Sequence, residues 1–195
     1  MTCIVGFIDK NNDIYIGADS AGVDGHYNIR ERLDSKVFIK NNMIFGFTSS
    51  FRMGQLIRYQ LVIPEQLPSK DDYTYMCTDF IEAIIKCFKD HGYAKIHDNE
   101  IIGGFFLVGY KGKLYQIECD FQVAQINCNY DACGCGESYA MGAMEVLNRV
   151  DFMNKGYTAE LRIKEALSIA EKFSAGVSKP FNILCLKYQE QDNKS

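Results

Sequence analysis

The sequence lacks three features that would place it in a specialised class of protein. It has no excess of basic residues, because 25 Asp and Glu outnumber 21 Lys and Arg, whereas a nucleic-acid-binding face normally needs a basic surplus. It has no apolar run near the roughly 18 residues that a transmembrane helix requires. It also shows no internal repeat, low-complexity tract or linker. We therefore expect neither a nucleic acid nor a membrane as partner.

The length of the chain and its composition favour one globular domain. Its 195 residues are 47% hydrophobic and 24% charged, which is close to the average for such domains. We place the domain at 1–188 and expect the charged stretch 189–195 to be a disordered tail. The apolar run 2–8 is too short for a signal peptide and is followed at once by Asp9 and Lys10, so we expect a cytoplasmic protein.

Histidine is scarce, and this bears on the eight cysteines. Cys3, Cys77, Cys87 and Cys185 lie among apolar residues, where a cytosolic cysteine usually behaves as a small hydrophobic side chain. The cysteines at 128, 133 and 135 fit no standard zinc spacing, and no histidine lies near them in the sequence. We expect no metal site and no cofactor.

Hydrophobic periodicity predicts grouped strands that alternate with pairs of helices. Strands are predicted at 2–8, 14–18, 36–40 and 43–47, at 101–110, 114–118 and 121–126, and at 181–188. Helices are predicted near 53–61, from 71 to about 88, and at 137–149 and 158–174. The segment 22–33 is expected to be irregular. This order favours an α+β fold, with two antiparallel sheets covered by helices, over a doubly wound parallel sheet.

The first two residues carry a chemical possibility of their own. If Met1 is removed, Thr2 presents a hydroxyl and a free α-amine on one residue. An N-terminal amine is one of the bases that activate a hydroxyl nucleophile, and its ordinary pKa of about 7.7–8.0 leaves part of it unprotonated near neutral pH. Because Thr2 is small, it permits removal of the initiator methionine.

Five motifs in the same order resemble the proteasome β-type N-terminal nucleophile hydrolases, a family that includes the bacterial peptidase HslV. They lie at 2–6 together with 14–20, and at 35–37, 44–50, 134–142 and 171–176. For example, Gly-Cys-Gly-Glu-Ser-Tyr-Ala-Met-Gly at 134–142 is similar to Gly-Ser-Gly-Ser-x-x-Ala-x-Gly of that family. The resemblance covers most of the chain and implies a four-layer αββα sandwich.

The resemblance also implies a role for each matching residue. Thr2 would be the nucleophile, Lys36 would keep its amine unprotonated and stabilise an alkoxide, and Asp19 would hold Lys36. The backbone N–H of Ser49 would be a donor to the oxyanion. Glu171 and Ser174 match positions near the end of the last long helix, where the family usually has Asp and Ser.

Two of these positions depart from the family pattern. Ser49 stands where the family usually has glycine. Its backbone N–H remains in place as a donor, but the serine side chain narrows the approach to the substrate backbone. Cys135 stands where the family has a serine near the threonine amine. A thiol is a weaker hydrogen-bond donor and acceptor than a hydroxyl, so this change affects proton transfer.

We interpret the sequence as a threonine peptidase-like hydrolase. The resemblance implies peptide or unfolded-protein substrates, a homo-oligomeric ring, and an ATPase unfoldase as a candidate partner. Two alternatives stay open. In the first, the chain is a catalytically inactive subunit with a structural role in a ring. In the second, it is a hydrolase of small amides on the same fold. An N-terminal cysteine nucleophile is disfavoured, because Met1 removal exposes Thr2 and not Cys3.

Overall fold

Two antiparallel sheets lie face to face at the centre of the fold. The structure is a computed structural model, and it describes residues 1–26, 28–97, 100–150 and 156–189. The strands of these residues are β1 (Cys3–Ile8), β2 (Ile14–Ala18), β3 (Ala21–Val23), β4 (Ile29–Glu31), β5 (Val37–Lys40), β6 (Met43–Phe47), β7 (Lys95–His97), β8 (Glu100–Ile102), β9 (Phe106–Tyr110), β10 (Lys113–Ile117), β11 (Val123–Gln125), β12 (Tyr130–Gly134) and β13 (Asn182–Leu186). One sheet has the order β12–β1–β2–β13 and the other the order β11–β10–β9–β6–β5.

Helices cover the outer face of each sheet. They are α1 (Phe51–Tyr59), α2 (Asp72–Tyr75), α3 (Ile81–Asp90), α4 (Glu137–Val150) and α5 (Ala159–Phe173). A π-helical turn, Met76–Phe80, joins α2 to α3. The pair α4 and α5 packs on the four-stranded sheet, while α1, α2 and α3 cover the five-stranded sheet. The predicted four-layer αββα sandwich is confirmed.

Strand alternation explains how one sequence fills three apolar layers. Successive side chains of a strand point to opposite faces of the sheet. In β1, Cys3, Val5 and Phe7 pack with the helix pair α4 and α5, whereas Ile4 faces the second sheet. The layer between the sheets is closely packed at Gly46, where an added Cβ would lie within 2.6 Å of Ile16. The first residues of β1 are thereby fixed between two packed layers.

The structure corrects several details of the predicted elements. Hydrophobic periodicity predicts no strand at β12, yet β12 pairs with β1 along its whole length. The single strand predicted at 101–110 is two, because β8 pairs with β7 while β9 joins the five-stranded sheet. The segment 22–33, expected to be irregular, contains the hairpin of β3 and β4. All but the first residue of the tail predicted at 189–195 lies outside the described residues.

The cysteines are all free, and they differ in burial. Cys3 and Cys87 are buried, as expected for small hydrophobic side chains, but Cys77 is exposed and Cys185 only half-buried. In the part of the chain that the structure describes, no group of three or more His, Cys, Asp or Glu side chains is placed to hold a metal ion. The helices of the same residues include none that is long and apolar enough to cross a membrane.

Candidate active site

A buried ion pair joins the two sheets at one end of the sandwich. Asp19 comes directly after β2, and Lys36 comes directly before β5. The Lys36 ammonium donates a hydrogen bond to Oδ1 of Asp19 at 2.9 Å. The side chains are 1% and 0% exposed, respectively. Two charges that are withdrawn from water to this degree need close pairing and further hydrogen bonds to be tolerated.

Backbone N–H groups supply those further hydrogen bonds to the Asp19 carboxylate. Oδ1 also accepts from the N–H of Cys3 at 3.0 Å. Oδ2 accepts from the N–H of Ala21 at 2.9 Å and of Ser178 at 3.4 Å. Asp19 therefore links the start of β1, the start of β3 and the loop after α5.

Opposing effects act on the Lys36 ammonium. Burial lowers the pKa of Lys36 below its ordinary value of 10.5, since the charged form loses its hydration. The adjacent carboxylate of Asp19 works against this and raises the pKa. The net direction is downward. Lys36 is thus a cation whose charge depends on the carboxylate of Asp19.

Thr2 lies beside this ion pair and contacts the sulfur of Cys135. Its backbone N–H donates to Sγ of Cys135 at 3.2 Å, and the thiol lies 3.4 Å from the Thr2 carbonyl oxygen, which can accept from it. Oγ of Ser174 donates to the same sulfur at 3.3 Å. The Thr2 hydroxyl donates to the Met1 carbonyl. Cys135 therefore occupies the place next to the nitrogen that becomes the α-amine if Met1 is removed.

A small cavity brings Ser49 together with Thr2 and Lys36. It measures about 50 Å³ and is lined by Met1, Thr2, Val23, Lys36 and 47–51. Ser49 lies in this lining with a backbone φ of 65°, in the left-handed region that favours glycine. Its Oγ accepts a hydrogen bond from the N–H of Phe105 at 3.1 Å, which holds the turn against the loop before β9.

A glycine makes the close approach of two strands possible next to Thr2. Gly134 ends β12 with a φ of 101°, and its Cα faces the Thr2 carbonyl oxygen. An added Cβ would overlap that oxygen and would lie 3.2 Å from Oγ1 of Thr48. Any other residue at this position would force the backbone of Thr2 or of residue 134 to shift.

Glu171 is placed differently from the other expected site residues. Its Oε1 accepts from the N–H of Lys179 at 2.9 Å, and its Oε2 pairs with the Lys179 ammonium at 2.9 Å. These contacts tie α5 to the loop that follows it. The structure thus brings together Thr2, Asp19, Lys36, Ser49, Cys135 and Ser174, while the described contacts of Glu171 are with Lys179.

Sequence reasoning missed the backbone groups of the site. The N–H groups of Ala21 and Ser178 and the position of Gly134 have no side-chain chemistry to mark them. The left-handed turn at Ser49 was also not foreseen. The match of 44–50 to a glycine-rich turn was the signal that could have indicated it, because glycine is the residue that usually adopts this conformation.

Comparison with known proteins identifies the fold. A scan against protein-family models and a search of curated protein sequences return no match. Solved structures do match: BPH from Thiobacillus denitrificans has a TM-score of 0.75 at 16% identity, covering 96% of this chain and 100% of BPH. HslV from Trypanosoma brucei has a TM-score of 0.67 at 16% identity, covering 95% and 99%.

A third solved structure agrees with these two. The Gly-1 mutant of Anbu from Hyphomicrobium sp. strain MC1 has a TM-score of 0.63 at 13% identity, covering 97% of this chain and 84% of Anbu. Sequence identities this low establish the fold and nothing finer. The chain shares the fold of these three proteins, and this fold is the four-layer αββα sandwich that its motifs predicted.

Proposed function

We propose that this protein is a threonine peptidase-like hydrolase whose nucleophile is Thr2 after removal of Met1. The observation that carries the proposal is the position of Thr2. Its nitrogen contacts Cys135, and its residue lines one cavity with Lys36 and Ser49. A nucleophile, a base, a cation and an oxyanion donor are the groups that hydrolysis of an amide requires.

The reaction begins with proton transfer from the Thr2 hydroxyl to its own α-amine. The freed Oγ1 attacks the carbonyl carbon of the substrate amide, and the carbonyl oxygen becomes an oxyanion. The proton passes from the amine to the leaving nitrogen as the C–N bond breaks, which leaves an ester on Thr2. Water, activated by the same amine, then hydrolyses the ester. Lys36 lowers the pKa of the amine through its positive charge.

The turn at 48–50 supplies the oxyanion donor in this proposal. Ser49 lies in the cavity next to Thr2, and its backbone N–H is the donor that we assign. The bond from Phe105 to Ser49 Oγ fixes the turn, so the donor is placed before the substrate arrives. Preorganised donors of this kind contribute about 2.7–4 kcal/mol each to transition-state stabilisation.

The groups around Cys135 position the α-amine. Cys135 replaces the serine of the resembled family, and its sulfur receives a hydrogen bond from Ser174. Glu171 acts on the site indirectly, through the loop that follows α5. Its pairing with Lys179 holds the loop that carries Ser178, and Ser178 donates to Asp19. We assign Glu171 as a positioning residue.

The substrate, assembly and partners follow from the same proposal. We infer peptide or unfolded-protein substrates, a homo-oligomeric ring that encloses the sites, an ATPase unfoldase as a candidate partner and no cofactor. The fold shared with HslV supports the ring. BPH from Thiobacillus denitrificans has been solved in complex with epoxomicin, which makes epoxomicin a suitable probe for a chain with the same fold.

The intact mass of the purified protein, measured with and without epoxomicin, tests the proposal. We expect loss of Met1 and the addition of one epoxomicin molecule at Thr2. The Thr2→Ala variant is the matched control, because it keeps a small second residue and loses the hydroxyl. Retention of Met1 without labelling would contradict the proposal, and so would equal labelling of Thr2→Ala.

The main alternative is an inactive subunit of a ring. Cys135 favours it, since the thiol is a weak partner for the Thr2 nitrogen. This alternative predicts an unlabelled protein that still assembles, which a mass measurement of the native oligomer detects. A hydrolase of small amides would label with epoxomicin and cleave small amides while leaving peptides intact.

A further inference from the structure

The strand that leads from Lys36 lies at the edge of its sheet. β5 is the last strand of the five-stranded sheet, and among the described residues it pairs with β6 alone. The Lys36 carbonyl points towards β6 and accepts from the N–H of Phe47 at 3.0 Å. Because neighbouring residues of a strand direct their carbonyls to opposite sides, those of Ser35 and Val37 point away from the sheet. Sheet pairing therefore provides no donor for the carbonyls of Ser35 and Val37.

The side chain of Arg58, in the last turn of α1, occupies this open edge. Its Nη2 donates to the Ser35 carbonyl at 2.6 Å and to the Val37 carbonyl at 3.2 Å. Its guanidinium carbon lies 4.5 Å from the ring centroid of Phe38, a cation–π contact that adds to these hydrogen bonds. One arginine thus binds the residues immediately before and after Lys36.

The two carbonyls that Arg58 binds flank a single residue. A shift of the guanidinium would therefore move the backbone on both sides of Lys36 together.

We propose that Arg58 is a positioning residue that sets the place of the Lys36 ammonium by holding the backbone on both sides of it. This inference rests on the proposed function for its effect on hydrolysis. Lys36 has one carboxylate partner, Asp19, in the opposite sheet. When Ser35 and Val37 are released, the edge strand shifts and the ammonium moves relative to Thr2.

Lys40 provides a matched control within the same two elements. It lies at the other end of β5, and its ammonium donates to the carbonyls of Ile57 and Arg58 at 3.1 Å and 2.9 Å. Lys40 therefore also joins β5 to the end of α1, but its contacts do not flank Lys36. A merely structural link between strand and helix would be weakened equally by either loss.

The test compares Arg58→Met, Arg58→Lys and Lys40→Met with the wild type. One readout is peptide hydrolysis, separated into kcat and KM. The other is the rate at which an amine-reactive reagent modifies Lys36, followed by peptide mass mapping, which needs no activity. Chemical unfolding of each variant checks that the fold is kept at the assay temperature.

We expect Arg58→Met to lower kcat by about 10- to 100-fold, since misplacement of a catalytic group by about 1 Å has effects of this size. KM should change little, and Lys36 should become reactive. Arg58→Lys keeps one donor group, so both of its readouts should lie between those of Arg58→Met and the wild type. Lys40→Met should match the wild type in both readouts. If Arg58→Met leaves Lys36 protected, or if Lys40→Met exposes it equally, the inference is overturned. A wild type without hydrolysis refutes the proposed function, and the modification of Lys36 still decides the role of Arg58.

Discussion

The Asp19 carboxylate and the Lys36 ammonium form a hydrogen bond of 2.9 Å that neither side chain shares with solvent. A pair like this contributes little net stability, because desolvation opposes the attraction between the charges. The loss of one partner is far more costly, since it leaves an uncompensated buried charge. The site and the fold therefore depend on the same two residues.

The Lys36→Ala variant should lose both hydrolysis and stability. The proposed charge next to the Thr2 amine disappears, and the buried Asp19 carboxylate is left without its cation. We expect the free energy of unfolding to fall by about 3–5 kcal/mol, as for other broken buried pairs. Urea unfolding and a peptide assay measure the two effects.

The combined variant Asp19→Asn with Lys36→Met separates the effect on hydrolysis from the effect on stability. It removes both charges, so part of the stability should return while hydrolysis stays absent. Full hydrolysis in either variant would exclude the proposed role of Lys36.

Replacing Cys135 with serine should raise activity. A hydroxyl is a stronger donor and acceptor than a thiol for the Thr2 nitrogen and for Ser174. A gain of about 1 kcal/mol in one hydrogen bond corresponds to a few-fold increase in kcat. The control is Cys135→Ala, which should lower kcat because the contact is lost altogether. Equal rates for the serine and alanine variants would show that this side chain takes no part in proton transfer.

The left-handed turn at Ser49 should tolerate glycine better than alanine. Both changes remove the bond from Phe105 to Ser49 Oγ, but only glycine adopts a φ of 65° without strain. We expect Ser49→Gly to be more stable than Ser49→Ala by about 1 kcal/mol. Guanidinium unfolding gives this difference directly. If the two variants unfold at the same denaturant concentration, the turn is not strained.

The buried carboxyl of Asp131 should make stability depend on pH. Burial is the main cause that raises its pKa from 3.8 to about 6, and the nearby carboxylates of Glu137 and Glu118 add to this. The folded state therefore binds the proton more tightly than the unfolded state, so stability rises as pH falls through about 6 towards about 4. At pH 7 the charged form should cost on the order of 3 kcal/mol.

The Asp131→Asn variant tests this expectation. It should be more stable than the wild type at pH 7 and should lose that advantage near pH 4. The control is Asp90→Asn at the exposed end of α3, where no such gain is expected. If the free energies of unfolding of the wild type and Asp131→Asn run parallel from pH 4 to pH 7, the effect is refuted.

Strong periodicity allowed most of the fold to be predicted. The apolar residues of 2–8 and 14–18 gave the central hairpin, and Asp71 caps the helix at the predicted place by accepting from the N–H of Thr74. β12 was missed because Asp131 interrupts its apolar pattern and Gly134 resembles a turn residue. Its strand conformation comes from pairing with β1, which lies more than 120 residues away in the chain.

The site could be predicted only where a side chain marks it. Thr2, Asp19 and Lys36 belong to a pattern that can be compared with a family. Ser178 contributes only its N–H, a group that almost every residue has, and it reaches Asp19 from the far end of the sequence. The partner of Glu171 depends on the path of the loop after α5, which local periodicity does not encode.

The direction of the strands also determines where the protein can be extended. β1 is an inner strand between β12 and β2, so the chain enters the sheet at Thr2 from the cavity side. Residues added before Thr2, such as an affinity tag, would fill the cavity and keep the threonine nitrogen in an amide. β13 runs in the same direction as β1 and ends level with Ile8, at the opposite end of the sheet. Purification tags and surface attachments therefore belong after residue 189.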